Sequence, residues 1–251
     1  MKDKHNTAMI LAAGLGTRLR QLTEQHPKAL VEVGGSPMLH NVITRLVESG
    51  YKHIVVNVHH FGQQVIDYIE SHNYDAIIEI SDERELLMDT GGGILKAMPL
   101  LADSDMVLVH NVDIMSDIDL YAIGQAFVSS DDEAWLLTQE RPSSRKLLFD
   151  AQDYLVGWRH ATENRYKWVK QSMEHYQEYS FSGIHFFKPK LFAQINPTPC
   201  SIIDLYLRQA TTYKIRKYHI EPTTWFDLGK PETIYEAERL FTSKPQNTKK
   251  Q

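Results

Sequence analysis

Short runs of β-branched and aliphatic residues alternate with amphipathic stretches through the first half of this chain. Ala8 to Leu11, Ile54 to Val58, Ala76 to Ile80 and Met106 to His110 read as buried strands. Between them, Met38 to Ser49 carries apolar residues at helical spacing, and Gly50 follows as a helix stop. Phe61 to Glu70, Gly93 to Leu101 and Asp119 to Val128 read as further helices, and Trp135 to Thr138 as another strand. Asp117 or Asp119 can cap the helix that starts there. Such alternation predicts an α/β protein: a mixed, mostly parallel sheet with helices on both faces. Ligands of such sheets sit beyond the carboxyl ends of the strands.

The first strand runs straight into Leu11-Ala12-Ala13-Gly14-Leu15-Gly16-Thr17-Arg18-Leu19, and Pro27-Lys28 follows. Small residues let the backbone press close to a ligand, and Arg18 and Lys28 bring two cations to it. Backbone donors with cations beside them suit a polyphosphate. A dinucleotide fingerprint would need a third glycine where Leu19 stands, and a P-loop would need Gly-Lys-Ser or Gly-Lys-Thr. A flexible turn with solvated charges is the bland alternative.

Three further places could carry chemistry. His110-Asn111-Val112-Asp113 closes a strand, and a carboxylate there can hold Mg²⁺; a turn or capping aspartate is the alternative. Asp89-Thr90-Gly91-Gly92-Gly93 reads as a glycine loop before a helix that Thr90 can cap. Gly183, in the middle of the strand predicted over Phe181 to Phe187, suggests a bulge or a ligand close by. Asp204 can reach that region or lie on a solvated helix face. His59-His60 lacks the spacing of a zinc helix.

The glycine loop with its Pro-Lys resembles the signature of the sugar-1-phosphate nucleotidyltransferases. That resemblance implies a Rossmann-like, GT-A-like fold with a small inserted β region. It implies that a sugar 1-phosphate oxygen attacks the α-phosphorus of a nucleoside triphosphate, giving a nucleotide sugar and pyrophosphate. Arg18 and Lys28 are then the catalytic cations. Leu11, Ala12, Ala13, Gly14, Gly16, Thr17 and Arg18, with Thr90, Gly91 and Gly92, bind the nucleotide. Asn111, Ser182, Gly183 and Asp204 line the sugar pocket. Asp113 and Asp227, the latter in Trp225-Phe226-Asp227-Leu228-Gly229, hold Mg²⁺. The family usually has Gly where this chain has Val112, and often Pro where it has Gln21.

Leu87 to Ile94 resembles the branch that joins UTP to N-acetylmuramate 1-phosphate. A mannose- or heptose-type 1-phosphate with GTP, and phosphocholine with CTP, are the alternatives. A catalytically silent nucleotide-sugar-binding protein is the non-enzyme alternative.

With 251 residues the chain suits one α/β domain over 1–242, with 139–180 as an inserted lid or sugar-side region and 243–251 as a flexible tail. Short strands are expected at Lys146 to Phe149 and Tyr154 to Gly157, inside a polar, aromatic-rich stretch. Helices are expected at Pro189 to Gln194, Ile202 to Ala210 and Pro231 to Leu240, and a strand at Tyr213 to His219. A net charge of -5 leaves no broad basic footprint for nucleic acid. No stretch spans a bilayer, and the polar N-terminus leaves no room for a signal peptide. The single cysteine, Cys200, fits a reducing, cytoplasmic setting. Monomer and dimer are both open.

Overall fold

The computed structural model describes residues 6–221 and 224–242. The expected tail at 243–251 lies outside the described residues. The chain starts with β1 (Asn6–Leu11), a small hairpin of β2 (Glu32–Val33) and β3 (Ser36–Pro37), and α1 (Met38–Glu48). Next come β4 (His53–Val58), α2 (Gly62–Glu70), β5 (Ile77–Asp82), α3 (Asp89–Leu101), β6 (Met106–Asn111) and β7 (Ile114–Ser116). Then follow α4 (Leu120–Val128), β8 (Ala134–Gln139), β9 (Arg145–Phe149), β10 (Leu155–His160) and β11 (Arg165–Trp168). The last elements are β12 (Gln177–Phe187), α5 (Ile202–Gln209), β13 (Ile215–His219), β14 (Trp225–Asp227) and α6 (Pro231–Thr242).

The main sheet runs β11-β10-β9-β12-β6-β1-β4-β5, with β8 joined to β12 and β13 joined to β8. β5, β4, β1 and β6 are all parallel, with Met9 beside Val55 on one flank and Val109 on the other. β4, β1 and β6 are buried on both faces, which is why they read as continuous apolar runs, while β5 lies at the edge and is partly exposed. Alternate residues of β1 supply two cores. Ala8 and Ile10 pack with Leu39, Val42, Ile43 and Leu46 of α1. Met9 and Leu11 pack with Ile94, Leu95 and Met98 of α3 and Leu205 and Tyr206 of α5.

β12 changes the character of the sheet. It is antiparallel to β6 and β8 at one end and to β9 at the other. The polar stretch after residue 139 thus forms β9, β10 and β11, an antiparallel extension carried on β12. The sequence does not reveal β11: with four residues, alternating exposed charges and half-buried aromatics, it is too short for a clear periodic signal. The expected helix after Pro189 is one 3₁₀ turn, Pro189–Leu191. Asp119, not Asp117, caps α4, accepting from the Ala122 amide at 2.9 Å.

A larger correction concerns the glycine run. Gly91, Gly92 and Gly93 do not precede α3; they form its first turns and are buried. Thr90 does not cap that helix. Its Oγ1 instead accepts from the Ile202 amide, at 3.0 Å, at the start of α5. The Gly91 and Gly92 amides donate to the Cys200 carbonyl at 2.8 and 3.1 Å, which satisfies donors that a helix start leaves open. A Cβ on Gly91 would come within 2.9 Å of the Ser201 backbone, and one on Gly92 within 2.5 Å of the Thr198 carbonyl. Close approach of protein backbone is the reason for glycine at these positions.

Candidate active site

The first loop leaves β1 at the carboxyl end of the parallel strands. Its opening residues are tied inward. Asn57, at the end of β4, accepts from the Ala12 amide at 2.6 Å and the Ala13 amide at 3.3 Å. Its side-chain amide donates to Glu83 at 2.7 Å, and the other Glu83 oxygen takes the Met88 amide at 3.3 Å. Burial pushes the Glu83 carboxyl up. The Leu11 carbonyl accepts from Val112, at 3.2 Å. Leu11, Ala12 and Ala13 therefore form a buried footing, and the exposed part of the loop begins at Gly14.

Gly16 takes a positive φ of 68° and turns the chain into 3₁₀ geometry over Thr17–Thr23. A Cβ there would come within 2.9 Å of the Lys28 Cβ. The turn thus lets the two cations close on one region. Lys28 Nζ lies 2.9 Å from Asp113 Oδ2, with both side chains largely buried. Arg18 Nη2 lies 3.8 Å from Asp227 Oδ1, in a more exposed pair.

β7 pairs with β14, with Asp227 beside Ile114, which brings the backbone at Asp227 next to that at Asp113. The Leu228 amide donates to the Asp113 carbonyl at 2.8 Å, which locks the two turns together. Gly229 donates to Asp227 Oδ1 at 2.9 Å. A Cβ on Gly229 would crowd the tip of Arg18 and Asp227 Oδ1, so the bare glycine leaves room for Arg18 where it stands. Val112 packs into the apolar core, where its side chain leaves Asp113 at the turn. Among the described residues, no group of three or more His, Cys, Asp or Glu side chains forms a closed cage. Two carboxylates from separate strands suit an ion that keeps water and phosphate as its other ligands.

Beside this corner opens a cavity of about 690 Å³. Arg18, Asp227, Trp158, His160 and Phe181 are among the residues that line it. Arg141, Arg145, Lys146 and Lys230 add positive charge, and Asp227 is the one carboxylate in its lining. Arg141 lies 4.5 Å over the Trp225 ring and donates to the Phe181 carbonyl at 3.0 Å. Its Nε is buried without a partner among the described residues. Burial pulls its guanidinium below the usual range, and the Asp227 charge opposes this. Sequence reasoning missed Arg141, Arg145, Asn57 and Glu83. Arg141 and Arg145 sit in a stretch without periodicity, and Asn57 is one polar letter inside a strand.

The remaining site residues divide. Gly183 takes a φ of 83° at a bulge in β12, and a Cβ there would come 3.0 Å from the Asn111 side-chain nitrogen. Asn111 and Gly183 are thus neighbours. Ser182 is fully buried, and its carbonyl takes the Trp225 indole N–H at 3.1 Å. The expectation that Asp204 reaches the cavity is corrected. Asp204 pairs with Lys167 and lines a separate surface depression with Arg208, while its neighbour Ile203 faces the cavity.

Paired carboxylates, cations and a glycine turn at the carboxyl end of a parallel sheet describe a phosphate-handling α/β protein. The nucleotidyl transferase family model matches residues 7–244, and the chain belongs to that family. It is a sugar-1-phosphate nucleotidyltransferase. It is 30% identical to N-acetylmuramate alpha-1-phosphate uridylyltransferase of Caulobacter vibrioides, over 95% of this chain and 98% of that one. The protein of that name from Neisseria meningitidis is 29% identical, over 93% and 97%. Mannose-1-phosphate guanylyltransferase catalytic subunit beta of Dictyostelium discoideum is 26% identical, over 93% of this chain and 64% of its own. The fold is shared with HddC of Yersinia pseudotuberculosis in complex with GMP-PN, at a TM-score of 0.75 and 21% identity, over 94% and 99% of the chains. No helix among the described residues is long and apolar enough to cross a membrane.

Proposed function

We propose that this enzyme joins UTP to N-acetylmuramate 1-phosphate, giving the UDP-sugar and pyrophosphate, with Mg²⁺ held by Asp113 and Asp227. The observation that carries the reading is the backbone adjacency of those two aspartates, each paired with one of the cations Arg18 and Lys28. The choice of UTP and of this sugar rests on the two relatives that align along nearly their whole length. Mg²⁺ fits the donor set: both groups are carboxylates, and each already faces a cation. When bound, Mg²⁺ would neutralise charge on the triphosphate.

The chain's own part is positioning and electrostatics. The exposed loop from Gly14 to Arg18 lies where it can hold the β- and γ-phosphates. Leu11, Ala12 and Ala13 form the floor beneath the nucleotide. Lys28, released from Asp113, offsets charge where the two phosphates meet. The sugar phosphate oxygen forms a bond to the α-phosphorus, and the bond to the β-phosphate breaks with its electrons leaving on pyrophosphate. The attacking group is already an anion, so no protein base is needed. Asn111 and Gly183 border the sugar.

A cavity with this excess of positive charge repels a quaternary ammonium, which weighs against phosphocholine as substrate. GTP with a mannose- or heptose-type phosphate is the second reading, supported by the 26% relative. Pyrophosphate release from each of the four nucleoside triphosphates with N-acetylmuramate, N-acetylglucosamine and mannose 1-phosphates separates them. UTP with the muramate substrate is expected to give the highest kcat/KM. A higher value for GTP with mannose 1-phosphate would reject the proposal in favour of the second reading.

A further inference from the structure

Arg145 and His160 stand opposite each other on the β9–β10 ladder, and both line the cavity. Opposed residues of an antiparallel pair place their side chains together on one face. Leu147 and Trp158 form the next pair on that face and give the cavity an apolar wall beside the two polar groups. The intervening pair, Lys146 and Arg159, is already engaged. Lys146 Nζ donates to the Arg141 carbonyl at 2.7 Å and to Ser180 Oγ at 2.9 Å. Arg159 pairs with Glu178.

Arg145 is different. Among the described residues no carboxylate lies within ion-pair distance of it. His160 Nδ1 accepts from the Glu163 amide at 3.3 Å, so the ring proton is on Nε2. That atom lies 3.6 Å from Glu163 Oε1, within ion-pair distance, and Glu163 also pairs with Arg165. A planar guanidinium fork and an imidazole thus share one face of the ladder and line the same cavity as Arg18 and Asp227. In the proposed reaction Arg18 and Lys28 face the phosphates, which leaves the exposed Arg145 for a second anion borne elsewhere on the sugar.

We propose that Arg145 and His160 receive a carboxylate on the sugar and select acidic sugar 1-phosphates over neutral ones. Arg145 takes both carboxylate oxygens, and His160 donates to one of them. Trp158 and Leu147 cover the apolar face of the ring. A neutral sugar leaves the Arg145 site without its anion and gains nothing from it. This inference rests on the sugar-1-phosphate transfer proposed above.

The test compares kcat/KM for N-acetylmuramate 1-phosphate and N-acetylglucosamine 1-phosphate, the same ring without the carboxylate-bearing ether. It uses the wild type, Arg145→Leu, Arg145→Lys and His160→Gln, with each of the four triphosphates. The wild type is expected to prefer the acidic sugar. Arg145→Leu should cut that preference about 10- to 100-fold, the range of one charged hydrogen-bonded contact. Arg145→Lys, which keeps the charge without the fork, should restore part of it. A wild type that takes the neutral sugar equally well overturns the subsite while transfer stands. So does an Arg145→Leu that slows both sugars by one factor. No pyrophosphate from any pairing with the wild type would reject the transfer reading itself, and the subsite with it.

Discussion

At the scale of single residues, the Lys28–Asp113 pair decides how the site can be probed. Both side chains are largely withdrawn from water. Alanine at either position leaves the other charge buried alone, which typically costs about 3–5 kcal/mol. Asp113→Asn also leaves Lys28 without a counter-charge, but it keeps the shape and an oxygen that accepts from Lys28. It is expected to lower kcat about 10²- to 10³-fold, the scale of losing one preorganised electrostatic contact, while far-ultraviolet circular dichroism stays that of the wild type. Activity within a factor of a few of wild type would remove Asp113 from the mechanism. The more exposed Arg18–Asp227 pair adds little to stability. Arg18→Gln should therefore leave the urea midpoint nearly unmoved while raising KM for the triphosphate. Arg18 and Asp113 stand out in the sequence at a glycine turn and a strand end, Lys28 as the cation after Pro27, whereas Asp227 is marked only by the family resemblance. Arg141 is not marked, since nothing local distinguishes it from any other loop arginine.

At the scale of elements, the start of α3 is clasped by the segment before α5. Gly92→Ala drives a methyl group into the Thr198 carbonyl and should destabilise the fold by about 1–3 kcal/mol, read as a lower urea midpoint. An unchanged midpoint would mean that the clasp does not hold. The glycine run looks in sequence like a ligand loop because glycine serves any backbone approach, whether the visitor is a nucleotide or another part of the chain. The parallel strands were legible because burial on two faces leaves an unbroken apolar signature. β7 was harder, being three residues long and too short for a periodic signal, whereas its partner β14 falls where Trp225 to Gly229 reads as a short strand and turn. Yet this ladder is what brings Asp227 to Asp113.

At the scale of the whole molecule, two histidines are sealed inside the sheet. Burial pulls His110 down to about 4 and His185 to about 3. A histidine in the unfolded chain titrates near about 6.5. Both are therefore depressed in the folded protein. Below that unfolded value the unfolded chain binds protons that the folded one refuses, so stability falls as pH falls. Each histidine contributes up to about 1.4 kcal/mol per pH unit until its folded value is reached. His185→Gln should lose less stability between pH 7 and pH 5 than the wild type, measured by urea unfolding. An equal loss would show that His185 is not held neutral. Nothing in the sequence marks these histidines, because burial depends on which strands become neighbours.

The central claim is that residues far apart in the chain, Asp113 and Asp227, hold one divalent ion for nucleotidyl transfer. Its most direct test is pyrophosphate release titrated with Mg²⁺ in the wild type, Asp113→Asn and Asp227→Asn. Both variants should need several-fold more Mg²⁺ for half-maximal rate and reach a maximum at least about 10²-fold lower. Wild-type Mg²⁺ dependence in either variant would contradict the account.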